Sequence, residues 1–205
     1  MAKTGTMKKK RGIDIVRGRT RLLKEILRRL TEEGASEVRL IDVKKIVVDE
    51  RVRLKCQIPL CDTYGRNLMC PPHLPSVEDF RRALRRSSRA ILVQVSAAVP
   101  VQSGSELPED VFAPATKLHE LVNMGEKMAF EAGLHFAAGL IGGCCRLCKE
   151  CVAAQGETRC RFPFKARPSM EAMGIDVFST LEKIGVPVSG LPVSDRVTWT
   201  GLILC

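Results

Sequence analysis

The thiol groups of two cysteine-rich segments are the side chains whose spacing could do chemistry in this chain. Cys145, Cys148 and Cys151 recur at every third residue, and Cys160 follows nine residues later. Two residues between successive thiols allow one loop to wrap around a single small inorganic centre. Cysteine runs that bind [4Fe–4S] clusters open with this rhythm, whereas structural zinc sites more often use two separated Cys-x-x-Cys knuckles. The spacing predicts a metal–thiolate site and favours an iron–sulfur cluster over zinc.

A second group of thiols precedes the first in the chain. Cys56, Cys61 and Cys70 lie within fifteen residues, together with Pro59 and the Pro71–Pro72 pair. Prolines at this density exclude regular secondary structure, so the three thiols are predicted to lie on a stiffened loop. Three core cysteines would instead be expected inside strands or helices. The segment therefore predicts a second set of metal ligands.

The assignment of ligands to centres has alternatives. The simplest one gives a first cluster four thiolates and no open iron: Cys145, Cys148, Cys151 and Cys160. Cys144 competes with Cys145, which preserves the three-residue rhythm. In another arrangement, Cys70 would complete the 145–151 triplet and Cys160 would join the earlier group.

The earlier group supplies only three thiols. Either its centre keeps one iron open, which would allow a small substrate to bind, or a fourth ligand comes from elsewhere. His73 lies three residues after Cys70 and is the nearest candidate, while Cys205 ends the chain and would have to reach back. His119 and His135 lie within helix and strand patterns and are interpreted as packing or surface residues.

Positive charge is concentrated at the front of the chain and around the main cysteine run. Residues 1–29 contain eleven Lys and Arg against two acidic residues, in a protein of net charge +10. Residues 146–167 contain six cations against two carboxylates. Cations beside an iron–sulfur cluster stabilise its reduced, more anionic state and raise its potential. Aromatic residues make up only 4%, which argues against a stacking surface for nucleic acid.

The elements that must position the thiols alternate along the sequence. Helical periodicity begins near Thr20, Ser76 and Asp176 are good N-caps, and apolar runs predict strands over Ala90–Val95, Leu134–Ile141 and Arg196–Leu204. We predict an α/β or α+β fold, with a mixed sheet of four or five strands, packed helices and two metal-binding loops at 56–73 and 144–168. Residues 1–17 are predicted to be a basic flexible tail, and residues 18–205 a single domain.

With these motifs the chain resembles a family of predicted metal-binding proteins, domain of unknown function 2284. The resemblance covers nearly everything after residue 20 and is carried by five segments: Lys55–Cys61, Tyr64–Pro72, Cys145–Cys151, Cys160–Pro163 and Ala166–Val177. It implies a cysteine-bound centre, of iron–sulfur type, and cytoplasmic redox metabolism, without an established reaction. In the family the first pair is spaced Cys-x-x-x-Cys, whereas Leu60 lengthens it here.

Three functions compete at this point. The first is a [4Fe–4S] protein, with one or two clusters, that transfers electrons to a redox partner protein without catalysis of its own. The second is an enzyme with an open-iron cluster on Cys56, Cys61 and Cys70. The third is a zinc-stabilised module that binds nucleic acid through the basic front end. No secretory leader or membrane-spanning run is evident, and thiols in a reducing cytoplasm are expected to be metal ligands rather than disulfides.

Overall fold

A four-stranded antiparallel sheet forms the centre of the described chain. The computed structural model describes residues 4–98, 109–188 and 196–205. Its strands are β1 (Glu37–Asp42), β2 (Arg89–Ala98), β3 (Ala138–Leu140) and β4 (Arg196–Leu204), in the order β1-β2-β4-β3. Its helices are α1 (Thr4–Glu32), α2 (Arg51–Leu54), α3 (Val77–Leu84), α4 (Ala113–Glu131) and α5 (Val177–Lys183).

The two central strands form the interior of the sheet. β2 pairs with β4 along its length, from Ala90 opposite Leu204 to Ala98 opposite Arg196. Its run of apolar side chains is buried on both faces of the sheet, as the near-continuous apolar pattern predicts. Gln94 and Thr200 form a buried side-chain hydrogen bond of 2.9 Å across this pair.

The alternation of side chains along β2 divides the core into two layers. Ile91 and Val93 pack on one side with residues of α1 and α4, such as Ile26 and Leu118. Ala90 and Leu92 pack on the other side against a different set: Phe80, Met170, Ile175 and Leu181. Met170 and Ile175 come from the segment that directly follows the 144–168 loop. The end of that loop is therefore part of the core.

The predicted fold class is confirmed, but the prediction of a mixed sheet is wrong. All the ladders between the four strands are antiparallel. The reason is that the 56–73 loop, and not a single crossover helix, occupies most of the connection from β1 to β2. The order of elements then does not determine strand direction.

Element boundaries differ from the predictions in three places. α1 begins at Thr4 and not near Thr20, because its basic residues are good helix formers and no proline interrupts them. The predicted boundary between tail and domain falls inside this helix, and the role of residues 1–17 as a separate tail stays a prediction. The ambiguous 46–56 segment contains α2, and the predicted strand 134–141 is reduced to β3. Within the described residues, no helix is long and apolar enough to cross a membrane.

Candidate metal centre

A glycine turn directs the chain from the sheet into the 144–168 loop. Gly143 adopts φ +66°, and a Cβ atom there would lie 2.7 Å from Cζ3 of Trp199. A Cβ atom at Gly142 would lie 2.9 Å from the carbonyl oxygen of Thr200. Only residues without side chains fit between β3 and the indole ring. This close packing fixes the position from which Cys144 and Cys145 leave the sheet.

Four thiols predicted as one ligand set line the same small cavity. They form the 145–160 thiol group: Cys145, Cys148, Cys151 and Cys160. Leu147, Phe162 and Ala166 provide apolar walls, and the 67–69 segment of the 56–73 loop closes one side. The cavity measures about 20 Å³, which is room for about one water molecule. The structure thus brings these four residues together, with Cys145 in the cavity and Cys144 outside it.

Backbone N–H groups are directed at the sulfur atoms of this group. The amide of Leu68 donates to Cys151 Sγ at 3.5 Å, and that of Phe162 donates to Cys160 Sγ at 3.3 Å. Burial raises the pKa of Cys145, and hydrogen bonds from the Leu147 and Arg167 amides oppose that shift. Such donors favour the thiolate, which is the form that binds metal.

The remaining predicted ligands form a second cluster, the 56–70 thiol group: Cys56, Cys61 and Cys70. The Thr63 hydroxyl lies 3.3 Å from Cys61 Sγ and 3.5 Å from Cys70 Sγ. The Cys61 amide donates to the Cys56 carbonyl at 3.1 Å. Cys61 is exposed, whereas Cys70 is buried. Local hydrogen bonds therefore gather three thiols on the 56–73 loop, at the surface of the molecule.

Cys144 belongs electrostatically with this second group. Burial raises the pKa of Cys70 to about 11, and the charges of Cys144, Cys61 and Cys56 raise it further. Cys145, in contrast, interacts with the charges of Cys160 and Cys148. Cys144 also lines a cavity of about 320 Å³ that includes His119 and Arg146. Adjacent cysteines therefore have different thiol neighbours.

Asn67 connects the two loops and was missed by the sequence analysis. Its Nδ2 donates to the Cys145 carbonyl at 2.9 Å, and its Oδ1 accepts from the Met69 amide at 2.9 Å. The side chain is buried, at 7% exposure. Asparagine in a proline-rich loop is usually read as a turn residue. The only available signal was its place inside the motif Tyr64–Pro72.

An ion pair anchors the far end of the 144–168 loop. Arg167 Nε lies 2.5 Å from Glu126 Oε2 in α4, and Arg167 Nη2 donates to Glu126 Oε1 at 2.9 Å. Both side chains are less than one fifth exposed. Glu126 also accepts from the Gly139 amide of β3 at 2.9 Å. Arg167 therefore has a local counter-ion, and its charge contributes less to the thiols than the sequence suggested.

The alternative ligands lie elsewhere. His73 is exposed, and its Nε2 lies 3.2 Å from the Gly65 carbonyl oxygen. His119 is buried and donates through Nε2 to the Lys165 carbonyl at 2.7 Å. His135 packs edge-on against the Phe130 ring. Cys205 is buried in the apolar layer beside α1 and α4, so it does not reach either thiol group.

A buried carboxyl lies next to the glycine turn. Burial raises the pKa of Glu171, while hydrogen bonds from Ser169 and the Gly143 amide oppose that shift. In the described part of the chain, its Oε2 atom has no hydrogen-bond partner. The negative charge of Glu171 also acts on Cys56. The sequence analysis interpreted Glu171 as a helix-end residue, although its carboxyl is enclosed.

The donor set fits a thiophilic metal or an iron–sulfur cluster, because soft thiolates select such centres. The fit is one of donor chemistry and shared location. Within residues 4–98, 109–188 and 196–205, no three His, Cys, Asp or Glu side chains are already grouped so as to hold a metal ion. Metal binding therefore requires the thiols of a group to rearrange, and that ordering reduces the net binding free energy.

Comparison with known proteins is consistent with this site. The family model described as predicted metal-binding protein (DUF2284) matches residues 39–205, which include both thiol groups. No match was found among curated proteins or among solved structures. The family match covers well over half of the chain and confirms the resemblance seen in the cysteine motifs. The chain belongs to the DUF2284 family of predicted metal-binding proteins.

Proposed function

We propose that this protein is an iron–sulfur protein that transfers electrons to a redox partner protein. The observation that carries the proposal is the single cavity lined by Cys145, Cys148, Cys151 and Cys160. Three of these residues come at the spacing typical of cluster-binding loops. A bound [4Fe–4S] cluster would supply one-electron chemistry, and four thiolates would leave none of its irons open to a substrate.

The chain's own residues would hold and tune such a centre. The Leu68 and Phe162 amides hydrogen-bond to sulfur, and hydrogen bonds to cluster sulfurs raise the reduction potential. Leu147 and Phe162 limit the access of water to the thiols. Arg146 is directed away, with its guanidinium carbon 3.7 Å from the centre of the Phe112 ring. Reduced thiols of this kind suit a reducing compartment such as the cytoplasm.

The 144–168 loop also offers a surface for a partner. Phe164 is 91% exposed and Phe162 is 42% exposed, and both follow Cys160 directly. Exposed Arg161 and Lys165 flank them. Aromatic side chains with cationic neighbours are typical of protein interfaces. We propose that an acidic redox protein docks here, close to the thiol that is nearest to the surface in sequence.

The experiment is anaerobic purification, followed by iron, sulfide and zinc analysis and by electron paramagnetic resonance (EPR) of the reduced protein. We expect iron and sulfide in equal amounts and an EPR signal after reduction. Cys148→Ser should remove about half of the iron if two centres are present. Cys205→Ala is the matched control, because that thiol packs in the apolar layer, and it should retain all the iron. Zinc in place of iron and sulfide would overturn the proposal.

A further inference from the structure

The 56–70 thiol group lacks one ligand, and the structure points to its source. We propose that Cys144 is the fourth ligand of Cys56, Cys61 and Cys70, so that adjacent residues 144 and 145 bind two different metal centres. The identity of the metal rests on the proposed function, whereas the division of the thiols rests on geometry alone. The chain would then hold two four-thiolate centres, with Cys205 as its one cysteine outside both.

The first argument is the direction in which the two adjacent residues leave the glycine turn. Cys145 lines the cavity of the 145–160 thiol group, and Cys144 does not. Consecutive residues in an extended segment direct their side chains to opposite sides. Gly143, which is packed against Trp199, fixes the start of this segment. Cys144 is therefore outside the 145–160 thiol group for a backbone reason.

The second argument is the contact that brings the 56–73 loop to this position. Asn67 Nδ2 donates to the Cys145 carbonyl at 2.9 Å. The Cys70 amide in turn donates to the Asn67 carbonyl at 2.9 Å. Two hydrogen bonds thus connect the Cys144–Cys145 segment with Cys70, whose sulfur shares the Thr63 hydroxyl with Cys61. The fourth thiol is held next to the other three by structure already present.

The third argument is electrostatic. The charge of Cys144 acts on Cys70 more strongly than the charges of Cys61 and Cys56, which are in the same loop. Four thiols within electrostatic reach cannot all ionise in a partly buried site unless a cation compensates. Metal binding would supply that compensation, and each of the four thiols would give up its proton.

The other candidates for a fourth ligand fit less well. His73 is exposed and pairs with the Gly65 carbonyl. Cys205 lies in the apolar layer beside α1 and α4. Glu171 acts on Cys56, but its carboxyl already accepts from Ser169 and Gly143. A thiolate also matches the other three donors in softness.

This assignment changes the choice between the competing functions. A centre with four thiolates has no open iron, so the 56–70 thiol group would not bind a substrate at iron. Two centres whose ligands are adjacent residues, with Cα atoms about 3.8 Å apart, would instead exchange electrons with each other. The protein would then be a two-centre electron relay.

The test compares two double variants in anaerobically purified full-length protein. Cys70→Ala/Cys144→Ala removes two ligands of one centre and should lose half of the metal, with the EPR signal of the other centre intact. Cys144→Ala/Cys148→Ala removes one ligand from each centre and should perturb both signals. Cys205→Ala is the control and should match the wild type. Added cyanide, a small iron ligand, should leave both wild-type signals unchanged and alter one signal in Cys144→Ala.

A second measurement needs no variant. Alkylation with iodoacetamide, mapped by mass spectrometry on the metal-loaded protein, should find Cys144 protected until a chelator removes the metal. Early alkylation of Cys144, or a Cys144→Ala protein that matches Cys205→Ala in metal content and spectra, would overturn the assignment. If the wild type contains zinc, the proposed function fails, but the same division read as zinc per chain would still support Cys144 as a ligand.

Discussion

The two cysteine loops differ in how much of the fold each one needs. The 144–168 loop leaves the centre of the sheet, contributes a complete set of four thiols to one cavity and returns to the core at Met170. The 56–73 loop follows the four-residue helix α2 and exposes Ile58, Leu60 and Cys61. It contributes three thiols and depends on the other loop through Asn67.

The comparison shows that a local site and a nonlocal site have different requirements. Cysteines three residues apart are brought together by any tight loop, so the 145–160 thiol group needs only its own backbone. The 56–70 thiol group needs a contact between residues 78 positions apart. Disturbing the 144–168 loop should therefore affect both groups, and disturbing the 56–73 loop only one.

The largest effect is expected when the anchor of the 144–168 loop is broken. Arg167→Met leaves the buried Glu126 carboxylate without its partner, and loss of such a partner costs about 3 kcal/mol of unfolding free energy. Both centres should lose metal in this variant. Arg159→Met is the control, since that cation is exposed on the same loop. Thermal unfolding and metal analysis measure the two effects, and retention of both centres would contradict the proposed asymmetry.

The glycine turn should give a smaller but similar result. Gly143→Ala combines a left-handed backbone with a contact of 2.7 Å to Trp199, and such overpacking costs about 1–3 kcal/mol. Gly156 has a similar φ of +78° with nothing within 4 Å of a Cβ atom. Gly156→Ala should therefore be the milder substitution, by chemical denaturation. Equal losses in the two variants would show that the indole contact does not matter.

The link between the loops should affect one centre only. Asn67→Ala leaves the Cys145 carbonyl without its donor, at a cost of about 1–2 kcal/mol. We expect weaker metal binding by the 56–70 thiol group and unchanged binding by the 145–160 thiol group. Gln57→Ala is the control, because it removes an exposed hydrogen bond to Tyr64 within the same loop. Chelator titration measures the two affinities, and equal weakening of both would refute the asymmetry.

The smallest effect is expected from the buried carboxyl beside the turn. Because burial raises the pKa of Glu171 in the folded state, its ionisation destabilises the fold as pH rises. Glu171→Gln should match the wild type near the pKa of an unfolded glutamate, about 4.3, and gain on the order of 1 kcal/mol at higher pH. That gain corresponds to about 2–4 °C in thermal midpoint. Exposed Glu157→Gln is the control; a gain independent of pH would exclude this cause.

The amount of this fold that could be predicted follows the range of the interactions. The caps at Ser76 and Asp176 were readable because each side chain bonds an amide three residues ahead. The apolar run of β2 was readable because burial on both faces leaves no polar position. Strand direction was not readable, since it depends on the path of the 56–73 loop and not on any residue type.

The sequence by itself determined the 145–160 thiol group, because two-residue spacing confines the thiols to one loop whatever the rest of the chain does. Only the tertiary structure decided which side Cys144 faces, where Asn67 binds and that Glu171 is enclosed. Those three facts depend on loops that meet across the sheet, and the free energy of such long-range contacts is not encoded in the spacing of any local motif.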